Sequence, residues 1–207
     1  MSKFFDKITK RTRIIALFIS GVLNLLYVAS NVLSGLFYHN LWYFSITFLH
    51  TVLLIARFYL LYATKNEEDD NLLTDKVVYG IGYCLIAIDF LSLTLCFYSI
   101  LAESTTSFNG GFIYPILIYG VYSLLASVYG IFLSVKNKSQ TYLAYRNLTL
   151  TTALFTVYNF VYSLYLSLSV KSRLALISVS LAGSIAFSTS LILAALLIKS
   201  KLNKKID

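Results

Sequence analysis

The sequence predicts an all-α fold, a polytopic membrane helix bundle of six transmembrane helices in a single domain, 1–207. Of its 207 residues, 58% are hydrophobic and 13% charged, whereas soluble proteins average about 45–50% apolar and about 25% charged residues. Its apolar runs reach or exceed the ~20 residues that a helix needs to cross the hydrocarbon of a bilayer. Its basic residues are concentrated before the first of these runs and after every second run. These three observations together indicate an integral membrane protein.

Six apolar segments with few or no charges define the predicted spans. They cover about 14–38, 41–63, 77–101, 112–135, 148–170 and 174–198. The first follows a charged segment but lacks an Ala-x-Ala-like cleavage site, so we expect a retained signal anchor. The longest gap, 64–76, is too short for a soluble domain. Function should therefore lie in the membrane or at its faces.

The net charge of +8 would suggest a nucleic-acid partner in a soluble protein, but its distribution gives another explanation. Of the 17 basic residues, 14 fall on one side if the N-terminus is cytoplasmic: five before the first span, two after the second, three after the fourth and four after the sixth. Lys171 and Arg173 fall on the other side, and Arg57 lies within a span. The positive-inside rule then places both termini in the cytoplasm. No nucleic-acid partner is expected.

Polar side chains follow helical spacing in several predicted spans. In the fifth they are Thr149, Thr152, Thr156, Asn159, Ser163 and Ser167, and in the first Ser20, Asn24, Tyr27, Asn31 and Ser34. The second and third spans carry similar stripes that include His50 and Asp89. Steps of three and four place such residues on one helix face, which should face protein or water. The hydroxyls are explained by hydrogen bonds between helices, and the sixth span, with Ser180, Ser184 and Ser188, is expected to be a packing helix.

Asp89, the only acidic residue in a predicted span, is the leading functional candidate. Ionisable groups inside spans tend to line pathways or binding sites. Arg57 lies ~10 Å and Asp89 ~18 Å from the cytoplasmic ends of their helices, so Arg57 could reach Asp89 if the helices pack together. Alternatively, Arg57 extends to the headgroups and leaves Asp89 alone. A paired Asp89 would stay ionised, whereas a lone one would hold a proton and could carry it.

Three further side chains complete the predicted pathway. His50 is near mid-span, where packing on an aromatic-rich helix is favoured and proton relay is the alternative. Asn24 and Asn159 lie on polar stripes at similar depth. The candidate solute-binding or pathway residues are therefore Asp89, Arg57, His50, Asn24 and Asn159.

Catalytic and metal-binding motifs are absent from the sequence. It contains no HExxH, GxSxG, P-loop or Gly-rich dinucleotide turn, and no carboxylate pair in the spans. Cys84 and Cys96 are ~18 Å apart along one predicted helix, too far for a disulfide. No His or Cys stands near them at ligand spacing. We expect neither an enzyme nor a cofactor or metal.

Two other groups of residues have expected positions. The acidic cluster Glu67, Glu68, Asp69 and Asp70 is either a solvated loop or a docking site for a membrane or cytoplasmic protein partner. At the outer ends of the spans, we expect an aromatic belt in contact with the bilayer interface. Its members are Tyr38, Trp42, Tyr43, Tyr98 and Tyr114.

The segments 41–44 (LWYF), 56–61 (ARFYLL) and 145–150 (YRNLTL) carry a resemblance. Together they resemble an uncharacterised family of small six-span bacterial integral membrane proteins. The resemblance implies a bacterial plasma membrane and marks Arg57 and Arg146 as family features, without any activity. Leu49-His50 stands where that family commonly has an aromatic pair.

Two functions fit the sequence. The first is a bundle that binds or passes a small polar solute or ion through its interior. The second is a non-catalytic accessory or scaffold subunit that docks a partner through its cytoplasmic loops.

Overall fold

The computed structural model describes residues 2–38, 41–65, 71–101, 113–136, 140–167 and 172–203, and nearly all of them are helical. The helices are α1 (Ser2–Tyr38), α2 (Leu41–Lys65), α3 (Asn71–Leu101), α4 (Ile113–Lys136), α5 (Gln140–Ser167) and α6 (Arg173–Asn203). The all-α fold and all six predicted helices are confirmed. The helices α1 and α5 begin well before the predicted spans, because an apolar window does not detect the polar turns at a helix end.

Four of these helices are long and apolar enough to cross a membrane. Their apolar parts are Ile14–Phe37, Trp42–Lys65, Asp75–Tyr98 and Arg173–Lys199. The helix α4 contributes a shorter apolar stretch, Leu117–Gly130. The large apolar side chains on the outer faces of the helices are exposed, as contact with lipid requires.

The helix α5 is the centre of the bundle. It packs against α2, α3, α4 and α6, and almost every described side chain between 141 and 165 is buried or half-buried. Lipid therefore touches little of α5, and its polar groups find partners within the protein. This position explains why α5 carries too many Thr, Ser and Asn residues to register as an apolar span.

Close helix contacts around α6 depend on glycine. A Cβ on Gly183 would lie 2.5 Å from the ring of Tyr158 and 3.0 Å from Cys96 Sγ, and one on Gly82 would lie 2.7 Å from Ile198. Small residues let membrane helices approach in this way. The expected packing role of α6 is thus carried by Gly183 more than by the serine stripe, because only Ser180 of the three predicted serines is fully buried.

Replacement of Gly183 by Leu should lower the stability of the fold in detergent. The new side chain would overlap the Tyr158 ring, and overpacking of this kind costs about 1–3 kcal/mol. The matched control is Gly80→Leu, since a Cβ on Gly80 meets nothing within 4 Å. Thermal unfolding followed by circular dichroism should show a lower midpoint for Gly183→Leu alone. Equal midpoints for the two variants would contradict the close packing of α6.

Candidate functional site

The predicted polar stripes face the interior of the bundle. The buried members include Ser20, Asn24, Asn31 and Ser34 of α1, His50 and Arg57 of α2, Asp89 and Ser92 of α3, and Thr149, Thr152, Thr156, Asn159 and Ser163 of α5. Each of these side chains is at most 3% exposed. The bundle therefore has a polar interior, as the helical spacing predicted.

Asn24 and His50 form the first group in this interior. Asn24 Nδ2 donates to the backbone oxygen of His50 at 3.1 Å, and Asn24 Oδ1 lies 3.0 Å from His50 Nδ1. Because Oδ1 is an acceptor, Nδ1 carries the ring proton and Nε2 is left as an acceptor. Nε2 has no hydrogen-bond partner among the described residues. The ring also packs edge-on against Tyr27, at a centroid distance of 4.5 Å, so His50 combines a packing role with one open nitrogen.

Asn159 connects three helices in the second group. Trp42 Nε1 donates to Asn159 Oδ1 at 2.9 Å, and Asn159 Nδ2 donates to the Tyr27 hydroxyl at 2.5 Å. The indole of Trp42 also packs against the ring of Tyr162, with a centroid distance of 4.2 Å. These contacts join α2, α5 and α1 through the side chain of one central residue.

The expected aromatic belt is wrong for Trp42 and Tyr43, which are 9% and 0% exposed. A buried indole N–H needs an acceptor, and Asn159 supplies it. Tyr98 and Tyr114 are 60% and 68% exposed, as a belt requires, while the side chain of Tyr38 lies outside the described residues. The helical spacing could have indicated that Trp42 is buried, because Trp42 stands eight residues before His50 and so lies on the same face of the helix.

Arg57 neither pairs with Asp89 nor extends to the headgroups. Its side chain is 3% exposed; Nη1 donates to the backbone oxygen of Ser20 at 2.9 Å, and Nη2 donates to Thr152 Oγ1 at 2.7 Å. The Thr152 hydroxyl in turn donates to the Leu148 carbonyl at 2.7 Å, which leaves its lone pair for Arg57. Both expectations from sequence are corrected, because neutral oxygens on α1 and α5 hold the guanidinium inside the bundle. Its Nε has no partner in the described part of the chain.

Asp89 is fully buried, and neither carboxyl oxygen has a hydrogen-bond partner among the residues that the structure describes. The Ser190 hydroxyl of α6 faces this carboxyl but lies outside hydrogen-bond geometry. Ser190 is instead 2.5 Å from Thr151 Oγ1 of α5. Asp89, Ser190 and Thr151 thus form a third group, between α3, α5 and α6, in which one hydroxyl donates to the other and the carboxyl accepts no hydrogen bond.

The five predicted residues therefore do not form one hydrogen-bonded network among the described residues. The structure joins Asn24 to His50 and joins Asn159 to Tyr27 and Trp42, while Arg57 has its own partners. No hydrogen bond between Asp89 and the other four is present in the described ranges. The acidic cluster Glu67–Asp70 lies outside those ranges.

In comparisons with known proteins, no family model, no curated protein and no solved structure matches the chain. The resemblance to a six-span bacterial family therefore stays a prediction.

The hydrogen bond between Trp42 and Asn159 should appear as a coupling energy. Trp42→Phe removes the N–H while it keeps an aromatic ring against Tyr162, and Asn159→Leu removes the acceptor. Coupling in a double-mutant cycle should be about 0.5–1.5 kcal/mol, the range for hydrogen bonds between membrane helices. Reversible unfolding in mixed micelles, followed by circular dichroism, measures it. Strictly additive effects would show that the two side chains do not interact.

Proposed function

We propose that the protein crosses the bacterial plasma membrane six times, with both termini in the cytoplasm, and binds or passes a small polar solute or ion without catalysing a reaction. The distribution of basic residues supports the orientation. The lengths of α4 and α5, 24 and 28 residues, correspond to ~36 and ~42 Å and exceed the ~30 Å of hydrocarbon. The polar interior supports a solute-binding role.

The buried, unpartnered carboxyl of Asp89 carries the proposal. An ionised carboxylate without a partner is costly inside a membrane protein. Asp89 therefore holds a proton or attracts a cation, and the neighbouring hydroxyls of Ser190 and Thr151 offer neutral oxygens beside it. The proton is the ion that this group fits best, because a carboxyl can take one up without any further ligand.

The position of Arg57 supports a cation route along α3 rather than through the whole interior of the bundle. The buried guanidinium lies among α1, α2 and α5. Its hydrogen-bond partners are neutral oxygens, so they do not balance its positive charge. Fixed positive charge of this kind is a barrier to cations. A cation would therefore move between α3, α5 and α6, where Asp89 lies, and His50, Asn24 and Asn159 would line the part of the interior that excludes it.

Proton flux tests the role of Asp89. In proteoliposomes with an internal pH-sensitive dye and an imposed pH gradient, Asp89→Asn should reduce flux to the level of protein-free liposomes, because an amide cannot exchange a proton. Asp89→Glu should keep part of it. Thr94→Val, which removes an exposed hydroxyl five residues further along α3, should leave flux unchanged. Wild-type flux in Asp89→Asn would remove Asp89 from the mechanism.

A scaffold subunit is the second candidate, because one observation favours it specifically. The groups around Asn24, Asn159 and Arg57 bind α1, α2 and α5 to one another through several hydrogen bonds between helices. Such networks fix helix packing without any ligand. The docking surface would then be the acidic cluster.

Neutralisation of the acidic cluster tests the scaffold. Glu67→Gln, Glu68→Gln, Asp69→Asn and Asp70→Asn combined should abolish co-purification of a bound protein, since the charge that attracts a basic partner is removed. Cross-linking in cells followed by mass spectrometry identifies the partners of each variant. A matched control is Lys199→Gln, which removes a charge near the C-terminal end of α6. If the loop variant retains every partner of the wild type, the acidic cluster docks none of them.

A further inference from the structure

Two open hydroxyls lie on the inner face of α4. Tyr119 and Ser123 are 4% and 3% exposed, and their four-residue spacing places both on one face of the helix. The two hydroxyls are neighbours, yet neither has a hydrogen-bond partner among the residues that the structure describes. Each can donate a hydrogen bond, and a buried hydroxyl that makes none is costly. The inner face of α4 therefore offers two donors to a ligand.

The guanidinium of Arg57 lies at the same depth in the bundle as Ser123. Two glycines of α4 approach two threonines of α5 closely, which fixes the level of one helix against the other. The pairs are Gly120 with Thr156, whose Cγ2 would lie 3.6 Å from a Cβ on the glycine, and Gly130 with Thr149, whose Oγ1 would lie at 3.2 Å. Thr152 lies between the two threonines, so it is level with the part of α4 that contains Ser123. Because Arg57 Nη2 donates to Thr152 Oγ1 at 2.7 Å, the guanidinium lies at that level too.

The positive charge of Arg57 is not balanced by an acidic side chain among the described residues. Its two hydrogen bonds go to neutral oxygens, and its Nε–H has no acceptor in the same part of the chain. The charge acts on the Tyr119 hydroxyl of α4. A buried cation without a counter-charge is costly, because neutral partners offset only part of its lost hydration. One positive charge and three open donors, from α2 and α4, thus lie together in the interior.

Aromatic rings close the space beside these donors. The ring of Tyr119 stacks on that of Tyr27 at a centroid distance of 4.6 Å and lies 5.9 Å from the ring of His50. Rings at these distances leave no room for another ring between them. His50 borders the site but adds no donor, because Asn24 Oδ1 engages its one ring N–H. A ligand beside Tyr119 must therefore be small.

We propose that Arg57, Tyr119 and Ser123 bind a small monovalent anion, of the size of a halide or nitrate. Arg57 supplies one positive charge and an N–H, and the two hydroxyls supply further donors, whose hydrogen bonds to an ionised group are stronger than those to a neutral one. The guanidinium would repel a cation, and a neutral solute would leave its charge unbalanced. The site is distinct from Asp89, whose hydroxyl neighbours belong to α5 and α6, and anion binding there requires no flux.

Nuclear magnetic resonance of chloride tests the proposal on the full chain in detergent micelles. The chloride resonance broadens when the ion exchanges with a protein site, so a titration of sodium chloride into a sodium gluconate background gives the affinity. Wild-type protein should show saturable broadening. Nitrate should compete for the site, whereas added gluconate, a much larger monovalent anion, should not.

Variants of the three residues locate the binding. Arg57→Gln removes the charge and should abolish the saturable broadening. Ser123→Ala and Tyr119→Phe each remove one donor to an ionised ligand and should weaken the affinity roughly tenfold. The matched control is Ser163→Ala. This hydroxyl of α5 is also buried without a described partner, but it lies eleven residues, or ~16 Å, beyond Thr152, so its loss should leave the affinity unchanged.

Several outcomes would overturn the proposal. They are broadening without saturation in the wild type, wild-type affinity in either hydroxyl variant, and an equal loss in Ser163→Ala. Saturable broadening that persists in Arg57→Gln would assign the chloride to surface lysines instead, and competition by gluconate would exclude a site for small anions. The hydroxyl variants keep the hydrogen bonds of Arg57, so they decide the question even if Arg57→Gln does not fold. No flux is measured, so the result is separate from that of the proton experiment.

Discussion

The structure depends on one constraint: a polar group inside a bilayer has no water to bind, so it must find its partner within the protein. The central helix α5 meets this constraint for most of the bundle. Its Asn159 and Thr152 accept hydrogen bonds from Trp42 and Arg57 of α2, and its Thr151 pairs with Ser190 of α6. These pairs fix the rotation of α2 and α6 around α5. The remaining helices then present apolar side chains outward.

Against this background, an open polar group is informative. Arg57 and Asn159 show that the fold can hold even a guanidinium or a buried amide with neutral partners, although Arg57 Nε stays without one. The carboxyl of Asp89 lies beside the pair of Thr151 and Ser190, in which one hydroxyl donates to the other, and neither carboxyl oxygen accepts a hydrogen bond. His50 Nε2 and Arg57 Nε also have no partner among the described residues, but a carboxylate is the most costly of these groups to leave open. The proposed ion exchange is placed at Asp89 for this reason.

The helices and their inward faces could be predicted from sequence because both follow from local periodicity. The bounds of α2 and the end of α3 agree with the apolar segments within two residues, and the stripe that contains Asn159 is buried as its spacing indicates. The partners could not be predicted in the same way. Only the depths of Arg57 and Asp89 follow from the sequence, whereas contact between two side chains also depends on how each helix is rotated and which helices are neighbours. No local sequence pattern in α3 or α6 indicates that these two helices pack together.

The central position of α5 also bears on how the chain is assembled. In the proposed six-span arrangement, α5 carries several polar residues for which lipid offers no partner, and such a segment enters a bilayer poorly by itself. Its hydrogen-bond acceptors are needed by donors on α2, a helix that is synthesised earlier, and its apolar cover comes in part from α4, immediately before it. In that arrangement, membrane insertion of α5 would be coupled to helices already present, so that the order of biosynthesis and the pattern of buried polar contacts would be linked through this one helix.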